Sequence, residues 1–235
     1  MNAVAQPTIP PLGFKGRVTQ LHTIRSEWTK LHSLRSTRWS ILVAIVLTIG
    51  LPAIFAAVTS SHWGHMSPHD RADRHPLDFA LGGVNLSQLA IGVLGVLVMS
   101  AEYGTGTIRA TFAAAPRRSQ VLLAKIAVFG AVSLVVSEVT AFASFFVGQA
   151  MLTAPASHAT LATPGALRDV VGTGLYLCVI SLFALGLATI LRHTAGGISA
   201  YVGILLVLPI IVQALPISIQ NELVRFLPLE IGGDL

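Results

Sequence analysis

Five long apolar runs decide what this chain can fold into. They cover about Trp39–Val58, Phe79–Ser100, Ile126–Leu152, Val170–Leu191 and Gly196–Leu215. Each is close to the 20 residues that a helix needs to cross the hydrocarbon core of a bilayer. At that depth there is no water to satisfy backbone N–H and C=O groups, and a helix satisfies them within one segment. Composition agrees: 53% of the residues are hydrophobic, only 11% are charged, and the mean hydropathy is +0.74. A soluble domain carries about 25% charged residues. Pro52 and Pro209 fall inside two runs, which a bundle tolerates when neighbouring helices take up the freed backbone groups. Gly82, Gly83, Gly92, Gly95, Gly172, Gly174 and Gly186 let helices approach closely in lipid. The expected fold is an all-α membrane protein, a polytopic helical bundle.

The distribution of Lys and Arg orients the spans. Eleven of the fifteen stand on one side: six from Lys15 to Arg38, then Arg109, Arg117, Arg118, Lys125 and Arg192. The other side holds Arg71, Arg74, Arg168 and Arg225 together with seven of the ten acids. That pattern predicts a cytoplasmic N-terminus. It also accounts for the net charge of +5 without a nucleic-acid partner, since basic loops meet anionic headgroups.

Before the first span, Val18, Leu21, Ile24, Trp28, Leu31 and Leu34 recur at spacings of three and four, the period of one helix face. Arg25, Glu27, Lys30, His22 and His32 take the opposite positions. A basic amphipathic helix with a Trp on its apolar side suits the membrane interface, with Trp28, Lys30 and Arg35 as anchors. A cytosolic helix packed on a soluble partner is the alternative. Residues 1–16 are Pro-rich and lack the apolar core of a signal peptide, and they read as a disordered tail.

The second span runs into Glu102-Tyr-Gly-Thr-Gly-Thr-Ile-Arg-Ala-Thr-Phe-Ala-Ala-Ala-Pro-Arg-Arg118. Gly104 and Gly106 open like a dinucleotide fingerprint, but Arg109 replaces the third glycine and no β-strand precedes it. No G-x-x-x-x-G-K-[ST] occurs in the chain, nor do G-x-S-x-G or H-E-x-x-H, so nucleotide binding by the P-loop route and these hydrolase chemistries find no motif. The glycines cost helix stability and permit a bend. Thr107–Ala115 then forms a short helix ended by Pro116, with Ser119 as cap of the next. Ile108 and Phe112 on its surface are either an apolar knob needing a socket or part of a membrane-surface turn that binds nothing.

Glu138 lies inside the third span, where a carboxylate is costly. It is a candidate gate or path-lining group, or else a hydrogen-bonded packing residue. Asn85, Gln88 and Gln149 are further polar residues at the spans, either path contacts or interhelical glue. His62, His65, His69 and His75 share a loop with Asp70 and Asp73, but their spacing fits no compact metal-ligand set, and a solvated loop is expected. Cys178 is the one cysteine, which excludes an internal disulfide.

Arg25-Ser-Glu-Trp-Thr-Lys-Leu, the Arg35-Ser-Thr-Arg-Trp39 that follows it, Ser100-Ala-Glu-Tyr-Gly-Thr-Gly-Thr-Ile-Arg-Ala-Thr111 and Ala115-Pro-Arg-Arg118 together resemble the permease subunits of bacterial ABC-2 type ABC transporters. The resemblance covers almost the whole chain. It implies a membrane subunit with no ATPase of its own, paired with a second copy or a homologous permease and with two separate ATP-binding-cassette subunits that hold ATP and Mg. It implies that residues 17–36 are an interfacial elbow helix and that residues 37–235 are the transmembrane domain. Within that domain, 102–118 would be the segment that couples to the ATPase. Glu102, Tyr103, Gly104, Thr105, Gly106, Ile108, Arg109 and Phe112 then become candidate ATPase contacts, and Glu138, Asn85 and Gln88 candidate path residues. A drug, a lipid or another amphiphile would be the exported cargo, and the cell membrane the location. The family has six spans against five here, so a sixth is expected after the segment Pro216–Leu235. A non-transporting membrane scaffold or immunity protein is the rival reading.

Overall fold

In a computed structural model, residues 19–33, 35–65, 84–114, 117–152 and 159–214 are described. The expectations for residues 1–16, for His69, Asp70, Asp73 and His75, and for the segment before a sixth span lie outside these residues.

The described chain is helical throughout, and five of its helices are long and apolar enough to cross a membrane. The helix α1 spans Gln20–Ser33 and α2 spans Arg35–His62, followed by a 3-10 turn to His65. Val84–Gly104 forms α3, Thr107–Ala114 the short α4, and Arg118–Met151 the long α5. Ala166–Leu191 is α6. The fifth span is made of α7 (Thr194–Val202), a π-helical turn over Gly203–Val207, and α8 (Leu208–Gln213).

At the centre, α3 packs along α6. Around them α2 lies against α3 and α5, α5 against α6, α7 against α3 and α6, and α1 across α5. Of the apolar stretch of α3, 61% is buried, against 22% in the first and fifth spans. The sequence of α3 explains its central place. A Cβ on Gly95 would strike the backbone carbonyl of Ser181, and one on Gly92 would strike the ring of Tyr201. Glycine at Gly95 lets α3 lie against the α6 backbone, and glycine at Gly92 lets the Tyr201 ring of α7 lie against α3, which gains dispersion contacts where lipid offers no hydrophobic driving force.

Both prolines are accommodated as bundled helices allow. Pro52 has no N–H, so the carbonyl of Thr48, four residues earlier, loses its helical donor. Ser144 of α5 donates to that carbonyl at 2.9 Å and Ser87 of α3 at 3.3 Å. Three spans are thereby tied at one backbone atom. Pro209 follows the π turn, in which the N–H of Leu208 reaches the carbonyl of Gly203. The widened turn absorbs the residue that a regular helix would exclude.

The helix α1 forms where periodicity predicts it, but its inward face is not the one its charges suggest. Leu21 and Trp28 are exposed at 72% and 50%, while Thr23 and Glu27 are buried. Leu21 and Trp28 of the apolar stripe face outward, Ile24 and Leu31 are half-buried, and Thr23 and Glu27 face the bundle.

Candidate functional site

The basic end of the bundle gathers the end of α3, the short α4, α1 and the start of α5 around one group of charges. At the end of α3, Gly106 adopts φ 71°, a left-handed conformation that costs glycine nothing and other residues about 1 kcal/mol or more. Its N–H donates to the carbonyl of Tyr103 at 3.2 Å. The hydroxyl of Thr105 donates to the carbonyl of Ala101 at 2.8 Å, and that of Thr107 to the carbonyl of Glu102 at 3.4 Å. The orphan carbonyls at the helix end are thus satisfied locally, in the manner of a glycine C-cap. Gly104 is simply the last residue of α3, so one glycine makes the turn where two were expected.

Beneath this turn, four side chains from three helices meet. Lys125 of α5 donates to Glu27 of α1 at 2.5 Å and to Glu102 of α3 at 2.8 Å. Lys30 of α1 donates to Glu27 at 2.6 Å, to Glu102 at 3.3 Å, and to the hydroxyl of Thr111 in α4 at 3.1 Å. The set is neutral, and Glu27, Glu102 and Lys125 are all buried. Neutrality is what makes their burial tolerable, because a lone buried charge costs several kcal/mol. For Lys30, burial lowers the pKa, but the hydrogen bond to Glu27 and the charges of Glu102 and Glu27 outweigh it and hold the ammonium above 10.5. Glu102 Oε2 is buried without a hydrogen-bond partner among the described residues, so all its pairing runs through Oε1.

Several expected contact residues lie elsewhere than at the surface. Glu102 points into the charge group. Ile108 is 7% exposed and belongs to the main apolar core, against which Tyr103 and Phe112 also pack. The guanidinium of Arg118 stands 5.4 Å over the Phe112 ring, within cation–π range. The free knob predicted from Ile108 and Phe112 is therefore seated in the chain's own core: the turn at Gly106 folds α4 back with its apolar face inward. Gly104, Thr105, Gly106 and Arg109 are exposed. The cap of α5 is Arg117, without a side-chain bond, which places Ser119 inside the first turn.

Lys30, expected as a headgroup anchor, is committed inward, while Trp28 and Arg35 stay exposed, Trp28 stacked on His32. Gln88 is buried and accepts from the hydroxyl of Tyr176 at 2.5 Å, and its backbone carbonyl accepts from Tyr201 at 2.6 Å. The side chain of Asn85 lies outside the described set. Glu138 is half-buried and lies over Gly174, where an added Cβ would come within 2.5 Å of its carboxyl carbon.

Sequence reasoning missed the parts played by Glu27, Lys125 and Thr111. A signal was present: Glu27 and Glu102 are the two acids on the side that carries eleven basic residues. Acids placed against such a field are candidates for internal pairing.

The fold and this site define a class: a multi-pass helical membrane domain with a helix before its first span and a short helix folded back after its second. Residues 23–209 match the family described as ABC-2 family transporter protein, and the chain belongs to that family, whose members serve as transporter permeases. No curated protein and no solved structure matches the chain.

Proposed function

We infer that the chain is the permease subunit of an ATP-driven exporter in a bacterial cell membrane, with its N-terminus and basic end in the cytoplasm. Two copies, or this chain and a homologous permease, work with two ATP-binding-cassette subunits. Those subunits hold the ATP and Mg, and this chain contributes no hydrolytic group. The cargo is a drug, a lipid or another amphiphile.

The observation that carries the reading is the neutral charge group beneath the exposed turn. A push delivered at Thr105, Gly106 and Arg109 reaches α3 through Glu102, α1 through Glu27 and Lys30, α4 through Thr111 and α5 through Lys125. The links through Lys125 cannot slip without leaving a buried carboxylate short of its cation, so α1, α3 and α5 move together. Thr105, Gly106 and Arg109 make the outer contact. Glu102, Tyr103, Ile108 and Phe112 stiffen the turn from behind, and Gly104 ends the lever. At membrane depth, Glu138 supplies a half-buried carboxylate for the path, while Gln88 is held by Tyr176 and serves bundle rigidity.

The test is co-purification with a co-expressed ATP-binding-cassette subunit, together with transport in vesicles. Arg109→Glu, at an exposed position, should leave the fold intact and weaken association and transport roughly tenfold or more, as loss of an interface arginine does. Phe112→Asp is a poor probe, because Phe112 packs on the chain's own core. If no ATPase co-purifies and Arg109→Glu changes nothing, the chain acts as a non-transporting scaffold or immunity protein.

A further inference from the structure

A groove of about 500 Å3 opens between α1, α2 and α5. Trp28 and His32 form one wall, their rings stacked at 5.6 Å and 14°. Ile41 forms the opposite wall, and Val132, Val135 and Val136 of α5 the floor. The floor lies two to three helical turns along α5 from Lys125, about 10–16 Å deeper into the bilayer. At the mouth stand Arg38 and, in the adjoining recess, Arg35. Neither arginine has an ion-pair or hydrogen-bond partner among the described residues. No acid lines the groove, and Glu27 and Glu102 are already neutralised by lysines.

We propose that this groove is a binding site for one anionic phospholipid. An acyl chain lies on Val132, Val135 and Val136 under the Trp28–His32 plate, and the headgroup phosphate pairs with Arg38 and Arg35. Lipid would cover this apolar surface in any case; the two arginines, without a partner among the described residues, are what make the site selective. Guanidinium favours phosphate by bidentate geometry, and a basic residue at an anionic surface contributes about a fivefold preference, so the two together give roughly tenfold or more. The occupant would brace α1 against α2 and α5 on the lipid side, opposite the charge group that holds α1 from within.

The experiment uses the full-length chain in dodecyl maltoside with equal amounts of palmitoyl-oleoyl phosphatidylglycerol and palmitoyl-oleoyl phosphatidylcholine, read by native mass spectrometry. One phosphatidylglycerol should remain bound in roughly tenfold preference to phosphatidylcholine. Arg35→Gln with Arg38→Gln should abolish that preference, and Val135→Trp, which fills the floor from an exposed position, should expel the lipid. Arg25→Gln with Arg117→Gln removes the same charge elsewhere on the basic end and should leave the preference intact. Equal retention of the two lipids would overturn the proposal. So would an equal loss in both double variants, which would make net charge the cause. A third contrary outcome is a dimer that Val135→Trp dissociates without lipid release, which would assign the groove to a second copy of the chain.

Discussion

The basic end and the membrane-depth core of this bundle are both held by buried polar groups, but by opposite kinds. At the basic end the links are ionic, join three helices and run through Lys125 and Lys30. At depth they are neutral: Ser144 and Ser87 on the carbonyl of Thr48, Tyr176 on Gln88, Tyr201 on the carbonyl of Gln88. Neutral pairs suit a region where lipid surrounds the helices and a stray charge is expensive. Ionic pairs suit the interface, where partial hydration keeps the charged state accessible and a broken link is costly to leave unmade. One region keeps the spans together, and the other fixes α1 to the turn after α3.

The largest effect should come from Lys125→Met. It leaves Glu27 and Glu102 with only the partly exposed Lys30 between them, and loss of one partner in a buried ionic group costs about 3–5 kcal/mol. Thermal melting in detergent would report it, and Lys125→Met combined with Glu27→Gln should recover part of the loss. An unchanged melt would mean that the charge group is not closed as described.

Gly95→Val comes next. Its added atoms meet the carbonyl of Ser181, backbone that cannot swing aside, so the spans must part at about 1–3 kcal/mol or more. Gly186→Val, at a position with nothing within 4 Å of an added Cβ, should be near neutral, and the pair of melts would separate close approach from glycine content.

Gln88→Leu leaves the Tyr176 hydroxyl buried and unpaired, at about 1–3 kcal/mol. The double variant Gln88→Leu with Tyr176→Phe should be less destabilised than Gln88→Leu alone. A double variant that melts lower still would show that Tyr176 has another essential partner.

The smallest effect belongs to Lys30, whose side chain is 29% exposed. Lys30→Met should cost about 1 kcal/mol, since partly exposed pairs contribute little. Its raised pKa gives a sign: the contribution is complete below pH 10.5 and disappears as pH climbs through the higher folded value. The wild type should therefore lose stability in that alkaline range more than Lys30→Met does, and parallel pH profiles would contradict the pairing.

Much of the fold was legible in sequence because it depends on local periodicity and length. All five spans, the N-terminal helix and the short helix after Gly106 follow from apolar runs, a 3.6-residue stripe and helix-breaking residues. The prediction that neighbours would serve the carbonyl freed by Pro52 holds at Thr48. The site was less legible, because its meaning lies in contacts far apart in the chain. Glu27 and Lys125 are 98 residues apart, and no spacing rule links them. Glu27 sat on what looked like a solvent face, and which side of α1 turned inward was settled by its partners on α3 and α5. Ile108 and Phe112 looked like an exposed plug because the direction in which the Gly106 turn folds α4 is a tertiary matter.

The central claim is that the exposed turn Thr105–Arg109 receives the ATPase while the charge group behind it carries the motion. Photo-crosslinking tests it most directly, with benzoyl-phenylalanine placed at position 109 or, as a control, at Leu21 on the lipid-facing side of α1. With an ATP-binding-cassette subunit co-expressed, a crosslink from position 109 and none from position 21 is the predicted result. No crosslink from position 109, in a complex that still forms and transports, would contradict it.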